Sequence, residues 1–196
     1  MARPREFETQ DALERAMQVF WQHGYKDASL PDLLDGMGLT RGSLYKAFKD
    51  KKSLYLLVLD RYETTQVDAA VRLLSDPDIA DGRQRILTLF SAIVAAVNNG
   101  DQRGCLLCSA AGGAAVDDPD IAKVVHGGLL KMQSAFEVAL DQSPTLAGLG
   151  QAGRAQLADV MLTQYIGLRT LARSRLPLGI LERSVRGIKG ILGAAC

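Results

Sequence analysis

Gly38-Leu-Thr-Arg-Gly-Ser-Leu-Tyr-Lys-Ala-Phe-Lys-Asp-Lys-Lys52 is the stretch from which the fold can be read. Gly38 suits a tight turn and Leu39 can plug its corner. Thr40 is a good N-cap, because its hydroxyl can accept a bond from an orphan N–H of the first helical turn. Leu44 and Phe48 are four apart, so they share one face of a helix over 41–48. Arg41, Ser43, Tyr45 and Lys46 fall largely on the other faces. A short helix with cationic, hydroxyl and phenol groups outward suits a DNA major groove.

Upstream, Ser29-Leu-Pro-Asp32 has capping-box spacing, with Pro31 where its missing N–H does no harm. Leu30, Leu33, Leu34 and Met37 give helix 2 an inner face. Thr9 to His23 reads as helix 1 through Leu13, Ala16, Met17, Phe20 and Trp21, with Gly24 as its stop. Residues 1–8 are charged and contain Pro4. They read as a mobile arm, either an ordinary frayed end or a basic arm reaching a minor groove.

Downstream, helix 4 is expected to start at Asp50 or Lys51 and to reach Leu74 unbroken, since no Gly or Pro interrupts it. Ser75-Asp-Pro-Asp78 is a turn cluster. Asp81 to Asn98 is apolar over most of its circumference, as expected of a helix buried on several sides. Cys105 to Val116 reads as a short helix, Asp117-Asp-Pro-Asp120 as the cap of a helix over about Pro119 to Asp141, and 142–152 as the longest connection. Gly153 to Arg175 and Leu178 to Leu192 complete the chain. Period-two alternation is missing, so the expectation is all-α, about nine helices.

Composition narrows the function classes. The net charge is only +1, yet residues 41–52 carry Arg41, Lys46, Lys49, Lys51 and Lys52 against Asp50 alone. That local excess is a footprint for phosphate. Three cysteines, Cys105, Cys108 and Cys196, argue against a disulfide scaffold and for a reducing compartment. Arg3, Arg5, Glu6 and Glu8 break any secretory leader, and the apolar run Ile86 to Val97 is too short to span a bilayer. A cytoplasmic protein without membrane segments is expected. With no Gly-rich phosphate loop, metal-ligand cluster or placed Ser/His/Asp set, neither catalysis nor a cofactor or metal is expected.

Helix 1 ending at Phe20, Gly24-Tyr25, Ser29-Leu-Pro-Asp-Leu-Leu34, Gly38 to Phe48 and Lys51-Lys-Ser-Leu54 together resemble the TetR family of transcriptional regulators. The resemblance is densest over Thr9 to Tyr62. The later Gly104-Cys-Leu-Leu107 is similar to one branch of that family. It implies a DNA-binding domain over 1–62, with the helix-turn-helix at about 29–48, and a helical effector-binding and dimerisation domain over 63–196. It implies that Arg41 reads a base, that Gly42 lets the backbone come close, and that Ser43 is a secondary base contact. It further implies that Tyr45, Lys46, Ser29, Thr40 and Lys51 touch phosphate or sugar, although Ser29 and Thr40 can equally serve as caps alone. Many members carry His where this chain has Ala47, so one phosphate contact is missing. The family's usual mode is repression, by a homodimer on a palindromic operator in double-stranded DNA.

For a small hydrophobic or amphipathic effector, the candidate wall is Phe90, Met132, Phe136, Met161 and Tyr165, whose spacing equally fits plain core. Gly187, Gly190 and Gly193 recur every three residues. They would let a partner helix approach, or they simply weaken the last helix. Cys105 and Cys108 form a C-x-x-C without a second pair, which argues against zinc and leaves small-residue packing or a redox or electrophile sensor.

Overall fold

The computed structural model describes residues 3–146 and 148–194, with residues 3–8 and 194 described by backbone alone. Nine helices and no strand are present among these residues. α1 is Arg3–Asp27, α2 Leu30–Met37 and α3 Arg41–Phe48. α4 starts at Lys51 and ends at Leu74. α5 is Gly82–Asn98, α6 Leu106–Ala111, α7 Pro119–Asp141, α8 Gln151–Arg173 and α9 Leu178–Ala194.

Side-chain caps start most of these helices. Asp50, Asp81 and Asp118 each accept a bond from a first-turn N–H, as Thr40 and Ser29 do. The last orphan carbonyls of α2 are met by Gly38, which sits in the left-handed region at φ 66. Gly24 leaves helical geometry at φ 81 and kinks the end of α1. The expected arm over 1–8 differs from what is seen. From Arg3 the backbone is already helical, while residues 1 and 2 lie outside the described residues, as does Cys196.

α4 also departs from expectation. It consists of Lys51–Tyr62, a π-helical turn over Glu63–Val67, and Asp68–Leu74. The buried positions explain why. Leu54, Tyr55, Val58, Leu59 and Tyr62 follow α-helical spacing, and the next buried residue is Val67, then Ala70 and Leu74. The step from Tyr62 to Val67 is one residue too long for an α-turn, and a wider turn absorbs it. Thr65 donates its hydroxyl to the carbonyls of Arg61 (2.8 Å) and Tyr62 (3.4 Å), and Thr64 donates to Arg61 (3.1 Å).

One continuous core runs from Ala12 to Leu192. α1 packs on α2 and α4, α7 on α8, and α5 on α7 and α9. α5 is less enclosed than its apolar circumference suggested. Ile86, Leu89, Phe90 and Ile93 are buried, whereas Leu87, Val94 and Val97 are half-buried. Charge is buried on that helix too. Arg85, 4% exposed, donates from Nε to the Ile79 carbonyl (2.6 Å), and from Nη1 to the Leu74 carbonyl and to Gln142. It thereby meets the carbonyl end of α4 and pins the turn that follows, a favourable place for a cation.

Candidate DNA-binding surface and effector site

The surface around α3 follows from its caps and its buried face. Leu44 and Phe48 are buried and fix the rotation of the helix. That rotation leaves Arg41, Gly42, Ser43, Tyr45 and Lys46 exposed, Tyr45 at 47%. Thr40 accepts from the Ser43 N–H at 3.2 Å, and the two hydroxyls lie 3.0 Å apart. Ser29 accepts from the Asp32 N–H at 3.2 Å, and its own N–H donates to the Asp32 carboxylate at 2.9 Å. The Ser29 hydroxyl holds the Asp32 carboxyl below its ordinary range. Ser29 and Thr40 therefore cap, while remaining exposed at two helix N-termini where backbone N–H groups favour anions.

The cations divide into two groups. Arg41, Lys46 and Lys49 are exposed and make no ion pair among the described residues. Lys51 and Lys52 are committed elsewhere. Lys51 donates to the Lys26 carbonyl at 3.2 Å and lies 5.1 Å from the Tyr25 ring centroid, and burial pulls its pKa down. Lys52 is paired at 2.7 Å with both Asp118 and Asp120 at the start of α7. A depression of about 480 Å³ adjoins the recognition surface, lined by Ser43, Lys46, Ala47, Leu39 and Thr9 among others. The small side chain of Ala47 leaves that hollow open.

Residues 12–58 match the model of bacterial regulatory proteins of the tetR family. The chain carries the DNA-binding domain of TetR-family transcription regulators. Over 60 residues it is 47% identical to the HTH-type transcriptional repressor ComR of Escherichia coli (strain K12), covering 31% of this chain and 29% of ComR. Over 137 residues it is 29% identical to the HTH-type transcriptional regulator YezE of Bacillus subtilis (strain 168), covering 69% of this chain and 70% of YezE. The fold is TetR-like along nearly the whole chain. A cysteine mutant of the TetR family regulator CifR, complexed with 26-bp operator DNA, superposes with TM-score 0.76 at 27% identity, covering 95% of this chain and 97% of that one. The reduced form of Escherichia coli NemR superposes with TM-score 0.79 at 20% identity, covering 94% and 96%. No described helix is long and apolar enough to cross a membrane.

In the TetR-like carboxy-terminal bundle, Phe90, Met132, Phe136, Met161 and Tyr165 are all buried. Phe90 stacks on Phe136 with centroids 6.1 Å apart, and Tyr165 meets Phe136 edge-on at 6.2 Å. Phe136 thus lies against both of the other rings. Tyr165 also reaches an open groove of about 230 Å³ between α4, α5 and α8, which Leu89 and Ile93 line from α5.

Cys105 and Cys108 are both buried and unbridged. Cys105 is the N-cap of α6 rather than part of it, and its sulfur accepts from the Cys108 N–H at 3.5 Å. The Cys108 thiol, then the Arg169 guanidinium, hold the Cys105 thiol below its ordinary range, while the Cys105 contact and burial push Cys108 up. No group of three metal-ligating side chains occurs among the described residues.

The apolar periodicity passed over the arginines that tie α8 to α1 and α4. Arg169 donates to the Tyr62 hydroxyl at 3.4 Å. Arg173 donates to the carbonyls of Trp21 (2.6 Å), Gln22 (3.0 Å) and Arg103 (3.3 Å). Arg103 places its guanidinium 4.2 Å from the Trp21 ring centroid and pairs with Asp101 at 2.7 Å. Trp21 in turn meets Tyr62 edge-on at 5.1 Å. The available signal was spacing: Tyr165, Arg169 and Arg173 extend the stripe of Leu157 and Met161 at intervals of four.

Proposed function

We propose that the whole chain is a cytoplasmic transcriptional repressor, a homodimer that binds a palindromic operator and leaves it when a small, largely apolar effector enters the carboxy-terminal bundle. The observation that carries the reading is the exposed face of α3, where Arg41 and Lys46 make no ion pair among the described residues and stand beside Ser43 and Tyr45. In this reading Arg41 addresses guanine O6 and N7, Tyr45 and Lys46 grip the backbone, and Ser29 and Thr40 offer helix N-termini to phosphates. Lys51 contributes charge only if its bond to Lys26 yields. In this reading the domains divide after residue 62, a division that agrees with the π-helical turn of α4 starting at Glu63.

Support for the dimer comes from the outer faces of the last two helices. An added Cβ at Gly187 or Gly190 would meet nothing within 4 Å, and Ile191 and Val160 are exposed. A second copy of the chain would cover them. Gel shifts on the DNA upstream of the protein's own gene, at two salt concentrations, test the reading. Binding must fall steeply as salt rises. Salt-insensitive or sequence-indifferent binding would overturn it.

A second reading has its own observation, the buried Cys105 sulfur beside Arg169. A thiolate there would add to the C=C bond of an electrophile, forming an S–C bond while the neighbouring carbon takes a proton from water. Labelling with N-ethylmaleimide should release DNA from the parent protein and leave a Cys105→Ser variant bound. Equal response of both sinks this second reading.

A further inference from the structure

The groove between α4, α5 and α8 has mainly apolar walls, with Gln66 and Tyr165 as polar side chains and one charged residue. Ala70 and Leu73 come from α4, Leu89 and Ile93 from α5, and Tyr165 and Arg169 from α8. Arg169 is the anomaly. A guanidinium carries five N–H donors and stays protonated, so taking it from water is costly unless an anion meets it. Its single hydrogen bond among the described residues is the long one to the Tyr62 hydroxyl, its guanidinium carbon lies 6.0 Å from the Tyr165 ring centroid, and its buried Nε–H has no partner there. Asp101, which Arg169 helps slightly to hold down, is already taken up by Arg103, through bonds of 2.9 Å from Nε and 2.7 Å from Nη2. Among the described residues Arg169 meets the Tyr62 and Tyr165 phenols and the Cys105 thiol but no carboxylate, an arrangement expected where a carboxylate arrives with a ligand.

We infer that this groove takes a small aliphatic carboxylate, its head group bound by Arg169 and its chain lying against Leu73, Leu89 and Ile93. The inference rests on the effector reading above and deepens it, by giving the effector a negative charge. A carboxylate accepts two parallel bonds from a guanidinium fork, which neither an alcohol nor a ketone can do. The site also has a route to the DNA-binding domain. Arg169 touches Tyr62, Tyr62 packs on Trp21, and one helical turn further on Arg173 holds the Trp21 carbonyl.

Straight-chain carboxylates of four to eight carbons and the alcohols of equal length are titrated into the full-length protein by calorimetry. At least one acid should bind tenfold or more tightly than its alcohol, and Arg169→Gln should abolish that preference. Because Arg169→Gln perturbs a buried site, Ala92→Leu is measured beside it. This change fills the groove from an exposed position and should weaken the acid at least tenfold with Arg169 intact. Acids binding no better than alcohols, or an acid preference that survives Arg169→Gln, overturns the inference. Gel shifts separate it from the reading beneath. An acid that binds through Arg169 without loosening DNA leaves the site standing and removes its effector role. An alcohol that binds and loosens DNA just as well keeps the effector and removes the charge.

Discussion

Arg173 Nη1 donates to the backbone carbonyl of Trp21 at 2.6 Å, across 152 positions of chain. Its Nη2 takes the Gln22 carbonyl at 3.0 Å, so one guanidinium closes the carbonyl-rich end of α1. The end of α8 is thereby fastened to the first helix of the DNA-binding domain. Removing the side chain leaves those carbonyls short of a partner. Arg173→Ala should lower stability by about 1–3 kcal/mol and loosen the joint. Urea melts read the first effect. For the second, DNA affinity should become less responsive to any effector, and an unchanged response would show that the contact is structural only.

At the recognition surface, Arg41→Ala and Lys46→Ala should behave differently. Loss of a base-reading arginine costs about 1–3 kcal/mol and relaxes selectivity at one position. Loss of a phosphate-binding lysine weakens all sequences alike and reduces the salt slope by about one unit. Affinity measured on operator and random duplexes across a salt series distinguishes them. A double variant that kept its selective grip would contradict the assignment of α3.

Close packing at the start of α5 gives a stability test. A Cβ built on Gly82 would lie 1.7 Å from the Ala139 carbonyl oxygen, which is backbone and cannot swing aside. Gly82→Ala must push α5 from α7 and should cost several kcal/mol, at or above the ~1–3 kcal/mol of ordinary overpacking. Gly187→Ala, in open space within one chain, should leave the monomer fold intact. Sedimentation of that variant then reports on the dimer alone.

Acid should weaken the joint between the domains. Asp101 is held down to about 2, mainly by hydrogen bonds from Arg103. A carboxyl lowered in the folded state stabilises above its unfolded value, about 3.9. The gain drains away as pH falls from there towards 2. An Asp101→Asn variant should be less stable than the parent near neutrality and converge with it at low pH. Parallel melting curves across the whole pH range would rule out this role.

Much of the architecture was legible because caps and apolar stripes report on the same helices. Thr40, Ser29 and the Asp117-Asp-Pro-Asp120 cluster placed three helix starts, and Leu44 with Phe48 fixed the outward face of α3. The expected arm at the chain start, Asp81–Asn98 as an enclosed helix, and Cys105 as a helical residue were less well placed, since each depends on neighbours distant in sequence. The arginines were the larger omission. Arg85, Arg169 and Arg173 drew no reading from the apolar pattern, yet each reaches inward to backbone carbonyls or a buried phenol. Lys51 and Lys52 show the converse: a basic run overstates its free charge when a carbonyl and two carboxylates wait on packed neighbours.

The five-residue step from Tyr62 to Val67 means that α4 holds one residue more than its winding requires. Excising exposed Gln66 should let the rod close into ordinary turns, shortened by ~1.5 Å, with Tyr62 and Val67 still turned the same way. Adding an alanine at the same point should instead swing Val67, Ala70 and Leu74 by ~100°, out of the interior they fill. The rod thus has slack in one direction only: it can lose a residue there, but it cannot gain another.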